Sequence, residues 1–282
     1  MQRVRFRSFF SPRFSHEINH NSTGEGNLGM CSISPTAGYE ASLERSLKQK
    51  DLPRHVGVLV DGNRRWASLQ GEGSDFGHSA GAKKIIEFLG WCSDVGIQHT
   101  TLYLLSTDNL SGRDKKELDD LIEIITSLSE KLADLGRWDL KVVGDYEALP
   151  EEHAKRLRVV EKKTDDISPF RVNLAVAYGG RHEISQAVRK ILLEHSSTGA
   201  THEEIAKLLT PETIAENLYT SGQPDPDLLI RTSGEQRLSG FMLWQSANSE
   251  FYFTEALWPD FRKVDFLRAL RDFQNRHRRY GS

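Results

Sequence analysis

The chain has 282 residues, a formal net charge of −3 and two cysteines. That length suits one large α/β domain or two smaller ones, with a sizeable core. The near-balanced charge supplies no global basic field and speaks against a nucleic-acid binder. No apolar run approaches the ~18 residues of a spanning helix, so any membrane contact is expected to be peripheral. Cys31 and Cys92 are too few and too far apart for a disulfide framework or a zinc cluster, and the chain reads as reduced and cytoplasmic.

Residues 1 to about 50 differ from the rest. Arg3, Arg5, Arg7 and Arg13 interleave with Phe6, Phe9, Phe10 and Phe14, and a Ser/Asn/Gly/Thr-rich piece without clear periodicity comes next. The stretch lacks the continuous apolar core of a secretory signal. It reads as a disordered extension, with a transit peptide or a weak patch for anionic membranes as competing readings. Residues 51–282 are expected to form the folded domain.

There the pattern alternates. Val56–Val60, Thr100–Leu105, Leu140–Val143, Val172–Tyr178 and Leu228–Ile230 are apolar runs of strand length, and Phe251–Phe253 is a weaker sixth. Helical periodicity is expected over Ala80–Val95, Lys115–Leu135, Glu151–Lys163, Glu183–Glu194, Glu203–Leu209, Pro211–Tyr219 and Val264–Arg276. Strand and helix in turn imply a single α/β domain with a mostly parallel, roughly six-stranded sheet flanked by helices.

The residues just beyond each strand are chemically alike. Asp61-Gly62-Asn63-Arg64-Arg65 comes after the first, Ser106-Thr107-Asp108-Asn109 after the second, and Gly144-Asp145 after the third. Gly179-Gly180-Arg181 comes after the fourth, and Arg231 through Ser239 after the fifth. Ligands of open α/β sheets bind beyond the carboxyl ends of the strands. Arginines that fork onto phosphate oxygens and a carboxylate suited to a hard cation point to a diphosphate site with a metal.

These segments resemble a known family. His55–Ala67 (HVGVLVDGNRRWA), Phe76-Gly77-His78, Leu104–Asn109, Ala177–Arg181, Asp227–Phe241 and Leu243–Thr254 are similar to the ordered motifs of the cis-prenyltransferases, the undecaprenyl diphosphate synthase family. The likeness runs from about residue 52 to 281 and is greatest to the short-chain actinobacterial (2Z,6E)-farnesyl diphosphate synthases. It implies a Mg2+-dependent enzyme that joins isopentenyl diphosphate to an allylic diphosphate. A homodimer is implied as well.

The resemblance carries roles to particular residues. Asp61 corresponds to the aspartate that binds magnesium and aids departure of the allylic diphosphate, which Gly62, Asn63, Arg64, Arg65, Trp66 and His78 surround. Ser106 and Asn109, with Thr107 and Asp108 between them, correspond to the polar segment near the homoallylic double bond. Asn109 is the proposed proton acceptor there. Arg231, Arg237, Leu238 and Ser239 correspond to the isopentenyl diphosphate clamp, and Glu250 to a second magnesium carboxylate from across the dimer interface. Arg279-Tyr280-Gly281 matches a C-terminal Arg-x-Gly that also reaches the partner's site. An arginine expected three residues after Asn109 is Gly112 here, with Arg113 one place later.

A tunnel for the growing chain is expected from Ile86, Leu89 and Trp91 on one helix and Leu121, Ile125 and Leu128 on the next. Leu104 stands where long-chain members typically carry a small residue. A short product is therefore expected, with Z,E-farnesyl diphosphate from geranyl diphosphate as the first choice. A long-chain polyprenyl diphosphate synthase or a non-catalytic subunit is the alternative. Phe241, Trp244 and Trp258 are expected to add apolar surface to the dimer interface. The Asp119-Asp120 pair is expected to be a solvated helix face, and Cys92 a core residue.

Overall fold

A computed structural model describes residues 35–47, 52–197 and 199–276. Six strands form one all-parallel sheet: β1 (His55–Leu59), β2 (His99–Tyr103), β3 (Asp139–Val143), β4 (Arg171–Ala175), β5 (Leu228–Arg231) and β6 (Glu250–Phe253). Their spatial order is β3-β4-β2-β1-β5-β6. After β4 the chain crosses to the other side of β1, so connections beside β1 diverge and leave a crevice at the strands' carboxyl ends. Asp61, Ser106 and the Arg231–Ser239 loop leave the sheet around that crevice.

Ten helices accompany the strands among the described residues: α1 (Pro35–Ser46), α2 (Asn63–Leu69), α3 (Ser74–Val95), α4 (Thr107–Gly112), α5 (Lys115–Leu135), α6 (Glu151–Thr164), α7 (Gly180–Ser197), α8 (His202–Leu208), α9 (Pro211–Ala215) and α10 (Lys263–Asn275). The 21 residues of α5 match the predicted span at both ends. The Asp114 carboxylate caps its first turn by accepting from Lys116 N–H, and Gly136 at φ 61° ends it. Helix α3 begins six residues before the predicted Ala80, because Gly77 and Gly81 weaken its apolar periodicity. Both glycines serve packing. A Cβ on Gly77 would sit 2.2 Å from the Asn63 carbonyl oxygen, and one on Gly81 2.3 Å from Asn63 Oδ1.

Residues 35–46 depart from the expected extension. They form α1, whose Leu43 is buried in the core and which packs on α10. Lys263 of α10 pairs with Glu44 at 2.6 Å, and the Arg268 guanidinium lies over the Tyr39 ring. The Arg/Phe-rich start lies outside the described residues, as do Cys31 and Arg279-Tyr280-Gly281.

The core continues on both faces of the sheet. Val56, Val58, Leu102, Leu174 and Ile230 are fully buried between helices, as expected for strands covered on both sides. Phe241 and Trp258 belong to that interior rather than to an exposed interface: both are at 0% exposure. Phe241 stacks on Tyr103 at 4.8 Å, and Trp258 donates its indole N–H to the Gly81 carbonyl at 2.9 Å. Asp119 and Asp120 are exposed on α5, and Cys92 is buried. Among the described residues no helix is long and apolar enough to cross a membrane.

Candidate active site

The crevice is built outward from Asp61, two residues beyond β1. Thr232, just after β5, clasps its backbone. The Thr232 hydroxyl accepts the Asp61 N–H at 3.0 Å and donates to the Asp61 carbonyl at 2.7 Å. Gly62 comes next at φ 106°, and a Cβ there would lie 3.1 Å from Leu257 Cα. This turn requires glycine on both counts. Asp61 Oδ2 accepts from Arg231 Nη2 at 2.9 Å. Burial pushes the Asp61 carboxyl up, but hydrogen bonds from Arg231 and Ser233 and the Arg231 charge outweigh it and hold the group below the usual carboxylate range. Asp61 is therefore an ionised carboxylate, with 37% of its side chain exposed to the crevice.

Arg231 is only 5% exposed and holds the loop after it. Its Nη1 donates to the Arg237 carbonyl and, at 3.0 Å, to Ser239 Oγ. Ser233 and Ser239 both have positive φ, 77° and 49°, a conformation non-glycine residues hold only when their surroundings impose it. Tyr103, at the end of β2, donates its hydroxyl to the Ser239 carbonyl at 3.2 Å. Behind the loop lies a buried carboxylate. Glu183 accepts from the Tyr178 hydroxyl at 2.5 Å, the Tyr219 N–H at 2.9 Å and Gln245 Nε2 at 3.1 Å, and burial raises its pKa.

On the opposite wall Ser106 caps α4, its hydroxyl accepting the Asn109 N–H at 3.1 Å. Thr107 packs against Gly179, where a Cβ would meet its hydroxyl at 2.5 Å. Arg113, at the end of α4, points into the crevice and donates Nη1 to Glu117 at 2.6 Å. Glu117 also lies 3.7 Å from Arg64 Nη1. His78 faces this group from α3. Burial, then the Arg113 charge, lowers its pKa to about 4, so it is neutral at pH 7.

These elements enclose a cavity of about 320 Å³ with two unlike ends. Asp61, Asn63, Arg64, His78, Ser106, Asp108, Asn109, Arg113, Arg231 and Ser239 line the polar end. Ala82, Ile85, Leu104, Leu105, Leu121, Ile124, Ile125 and Leu128 line the apolar end. Three buried polar atoms of the polar end have no partner among the described residues: Arg113 Nε, Arg231 Nε and Asn63 Oδ1. Unpaired buried groups are costly, on the order of 1–3 kcal/mol each. The two guanidinium nitrogens mark a place for a ligand with charged oxygens, while the Asn63 carboxamide oxygen, an acceptor, suits a cation or a donor.

A family profile described as "Putative undecaprenyl diphosphate synthase" matches residues 59–281. The chain belongs to the cis-prenyltransferase family. A "Short-chain Z-isoprenyl diphosphate synthase" of Mycobacterium leprae is 58% identical over 247 residues, 86% of this chain and 94% of that protein. A "(2Z,6E)-farnesyl diphosphate synthase" of Thermobifida fusca is 53% identical over 255 residues, 90% of this chain and 100% of that protein. Among solved structures, a lavandulyl diphosphate synthase from Lavandula x intermedia in complex with dimethylallyl diphosphate superposes with a TM-score of 0.76 at 34% identity. That match covers 83% of this chain and 100% of the plant protein.

Not every residue singled out in this cis-prenyltransferase from sequence reaches the cavity. Trp66 turns away: its ring stacks on Phe76 at 5.6 Å and its N–H donates to Asp260 at 2.9 Å. Arg65 donates to Ser233 Oγ at 2.8 Å, and Arg237 pairs with Glu235 while its carbonyl steadies Arg231. Leu238 packs beneath the loop. Glu250 lies at the start of edge strand β6 and pairs with Arg276 at 2.8 Å. The α3 contribution to the apolar wall is Ala82 and Ile85 rather than Ile86, Leu89 and Trp91. Leu89 is at 0% exposure in the core, and Trp91 packs edge-on to Phe88 with Lys84 over its ring.

Tyr103 and Glu183 are not singled out by the sequence. Tyr103 ends an apolar strand and Glu183 sits in the first turn of α7, and only the fold reveals the backbone groups each one holds.

Proposed function

We propose that the chain condenses isopentenyl diphosphate with geranyl diphosphate, releasing diphosphate and forming Z,E-farnesyl diphosphate. The observation that carries this reading is the two-ended cavity. Unpaired guanidinium nitrogens in the polar lining suit diphosphate oxygens, and the apolar lining of a cavity this small suits a short isoprenoid. The names of the mycobacterial and Thermobifida relatives support the product class.

In the reaction the bond between the allylic carbon and its diphosphate oxygen breaks, and the electron pair leaves with the diphosphate. The double bond of isopentenyl diphosphate supplies the pair for the new carbon–carbon bond. A proton then leaves the adjacent carbon and restores a double bond. Arg64, Arg113 and neutral His78 face the departing diphosphate, and stabilisation that grows with its charge lowers the barrier. Arg231 and Ser239 hold the second diphosphate. Asn109, too weak a base to keep the proton, orients it for transfer to diphosphate or water.

The donor set fits magnesium. Asp61 is ionised and Asn63 offers a free carboxamide oxygen, both hard ligands. Among the described residues no three His, Cys, Asp or Glu side chains gather as a ready-made cage. Mg2+ commonly takes one or two carboxylates and completes its shell with phosphate oxygens and water. Held by Asp61 and the substrate, the ion would supply Lewis-acid neutralisation of the leaving group.

A homodimer is part of the same proposal. Register pairs Glu250 with Leu228 and Leu228 with Val56, five residues before Asp61. Glu250 therefore lies at the opposite end of the sheet from the cavity, roughly 16 Å back along the strands at ~3.3 Å per residue. If Glu250 contributes to catalysis, it serves the cavity of a second copy. The exposed β6 edge, with Phe251 and Phe253 stacked, suits that contact. Incubation of purified protein with geranyl diphosphate, labelled isopentenyl diphosphate and Mg2+, with products resolved by length and double-bond geometry, tests the reading. A fifteen-carbon Z,E product is expected. Exclusive formation of products of ten or more isoprene units would replace it with the long-chain alternative.

A further inference from the structure

Five arginines surround the proposed diphosphate sites, and glutamates pair with four of them. Glu117 reaches Arg113 at 2.6 Å and Arg64 at 3.7 Å, while Glu235 pairs with Arg237 and lies 3.7 Å from Arg65. The two glutamates differ in setting. Arg65 and Arg237 are more than half exposed, and water competes there. Arg113 is 13% exposed and Glu117 22%, so their pairing is sheltered.

Which atoms are engaged matters more than the pairing itself. Glu117 takes only Nη1 of Arg113. The Nε of the same guanidinium is buried without a partner, and no hydrogen bond engages Nη2 among the described residues. Nε and Nη2 form one edge of the planar fork, the edge that receives two anionic oxygens side by side. Holding Nη1 fixes the plane and turns that edge toward the cavity.

The position of Glu117 explains how it can do this. It occupies the third residue of α5, after the Asp114 cap and two lysines. The helix start is pinned by the Asp114 cap and by the Leu118 N–H donating to the Asp114 carbonyl at 3.0 Å. Arg113 itself is the last residue before this rigid start, one place later than the family spacing expects. With that spacing changed, a contact with a neighbouring side chain can set the aim of the guanidinium.

We propose that Glu117 is a positioning residue for the allylic diphosphate: it orients Arg113 so that the Nε–Nη2 edge receives a phosphate of that substrate. The inference rests on reading the cavity as the allylic site. Glu117 touches neither substrate nor reacting atoms and acts chiefly through Arg113, its one hydrogen-bonded arginine; Arg64, 60% exposed, lies beyond hydrogen-bond reach at 3.7 Å. Arg231, which has no such glutamate, is aimed instead by Asp61 and the loop carbonyl of Arg237. Glu117 therefore influences one substrate and not the other.

The test compares wild type, Glu117→Gln, Glu117→Asp, Arg113→Lys and the Glu117→Gln/Arg113→Lys double variant. Affinity for inorganic diphosphate is measured by titration calorimetry with isopentenyl diphosphate saturating, and KM for each substrate is measured separately. Glu117→Gln should weaken diphosphate binding and raise the allylic KM by on the order of tenfold, the scale of one charge-assisted hydrogen bond misplaced. The KM for isopentenyl diphosphate and the unfolding midpoint should stay at wild-type values. Glu117→Asp should recover part of the loss. The double variant should be no weaker than Arg113→Lys alone, since Glu117 acts through the arginine fork.

Equal rises in both KM values, an unchanged allylic KM, or additive losses in the double variant would overturn the proposal. Tighter diphosphate binding by Glu117→Gln would overturn it too, by showing that Glu117 competes for the arginines. Diphosphate affinity reads Arg113 without turnover. A wild-type chain that binds diphosphate in the Glu117-dependent way but forms no prenyl product would defeat the proposed function and leave standing only the aiming of Arg113 at a diphosphate by Glu117.

Discussion

Arg231 Nη2 donates to Asp61 Oδ2 at 2.9 Å, so the cation ending β5 lies against the carboxylate just beyond β1. The pair spans neighbouring parallel strands, and each member depends on the other. Removing Asp61 leaves a guanidinium at 5% exposure without its counter-charge, whereas asparagine keeps a hydrogen-bond acceptor in place. Asp61→Asn should therefore fold normally and lose about 10²–10³-fold or more in turnover, the scale of a lost electrostatic contact in the transition state. Asp61→Ala should lose as much activity and also unfold at lower temperature. EDTA should abolish turnover of the wild type. Steady-state kinetics and thermal melts separate the two effects, and a folded Asp61→Ala enzyme with near-normal turnover would refute the metal assignment.

Leu104 lines the apolar part of the cavity together with Leu121, Ile125 and Leu128. Admitting a longer chain would force these side chains off their preferred rotamers, at ~1 kcal/mol or more. Leu104→Ala should lengthen the products while leaving the first condensation intact. Chromatography of radiolabelled products reads the shift directly.

Glu250 and Asp61 lie at opposite ends of one sheet, so two defective chains can complement each other. Asp61→Ala and Glu250→Ala protomers should each be inactive. After subunit exchange the mixture should regain activity through the hybrid's one intact site. Full wild-type activity from a monomer at assay concentration would contradict the shared-site arrangement.

Gly81 lets the start of α2 lie against α3. A Cβ there would approach Asn63 Oδ1 to 2.3 Å. Gly81→Ala should displace the Asn63 carboxamide, raise the allylic KM, and destabilise by about 1–3 kcal/mol through overpacking. Denaturant titration beside kinetics checks both parts.

Two buried histidines, His55 and His78, have pKa values lowered to about 4 by burial, from an ordinary 6.5. Between those pH values the unfolded chain takes up protons that the folded chain refuses. Their effect on stability is absent above pH 6.5 and grows unfavourable as pH falls toward 4. The unfolding midpoint should decline across that window, and His78→Gln should flatten the decline in part.

The strands and the long helices were legible because their periodicity and caps agree. The helix Lys115–Leu135 shows an amphipathic stripe, an Asp at its start and a Gly at its end. The short helix Thr107–Gly112 was not legible, since six residues carry too little periodicity and its cap is also a candidate site residue. The apolar wall was half legible. Leu121, Ile125 and Leu128 line the cavity as expected, but α3, which packs on Asn63 through Gly77 and Gly81, presents Ala82 and Ile85 to it. Phe241 and Trp258 show a further limit: apolar residues beside an edge strand look the same whether they serve an interface or the interior.

The α1–α10 contact joins stretches far apart in sequence, for α1 starts the described fold and α10 is its last helix. Arg276, just past α10, holds Glu250 at 2.8 Å, so a strut of Leu43, Lys263 and Tyr39 braces the helix that leads to this pair. A shortened version beginning at Asp51, where the strand-and-helix alternation starts, would strip this strut and leave one side of α10 wet. Purification tags belong before α1, and trimming past it would be felt at the far edge of the sheet.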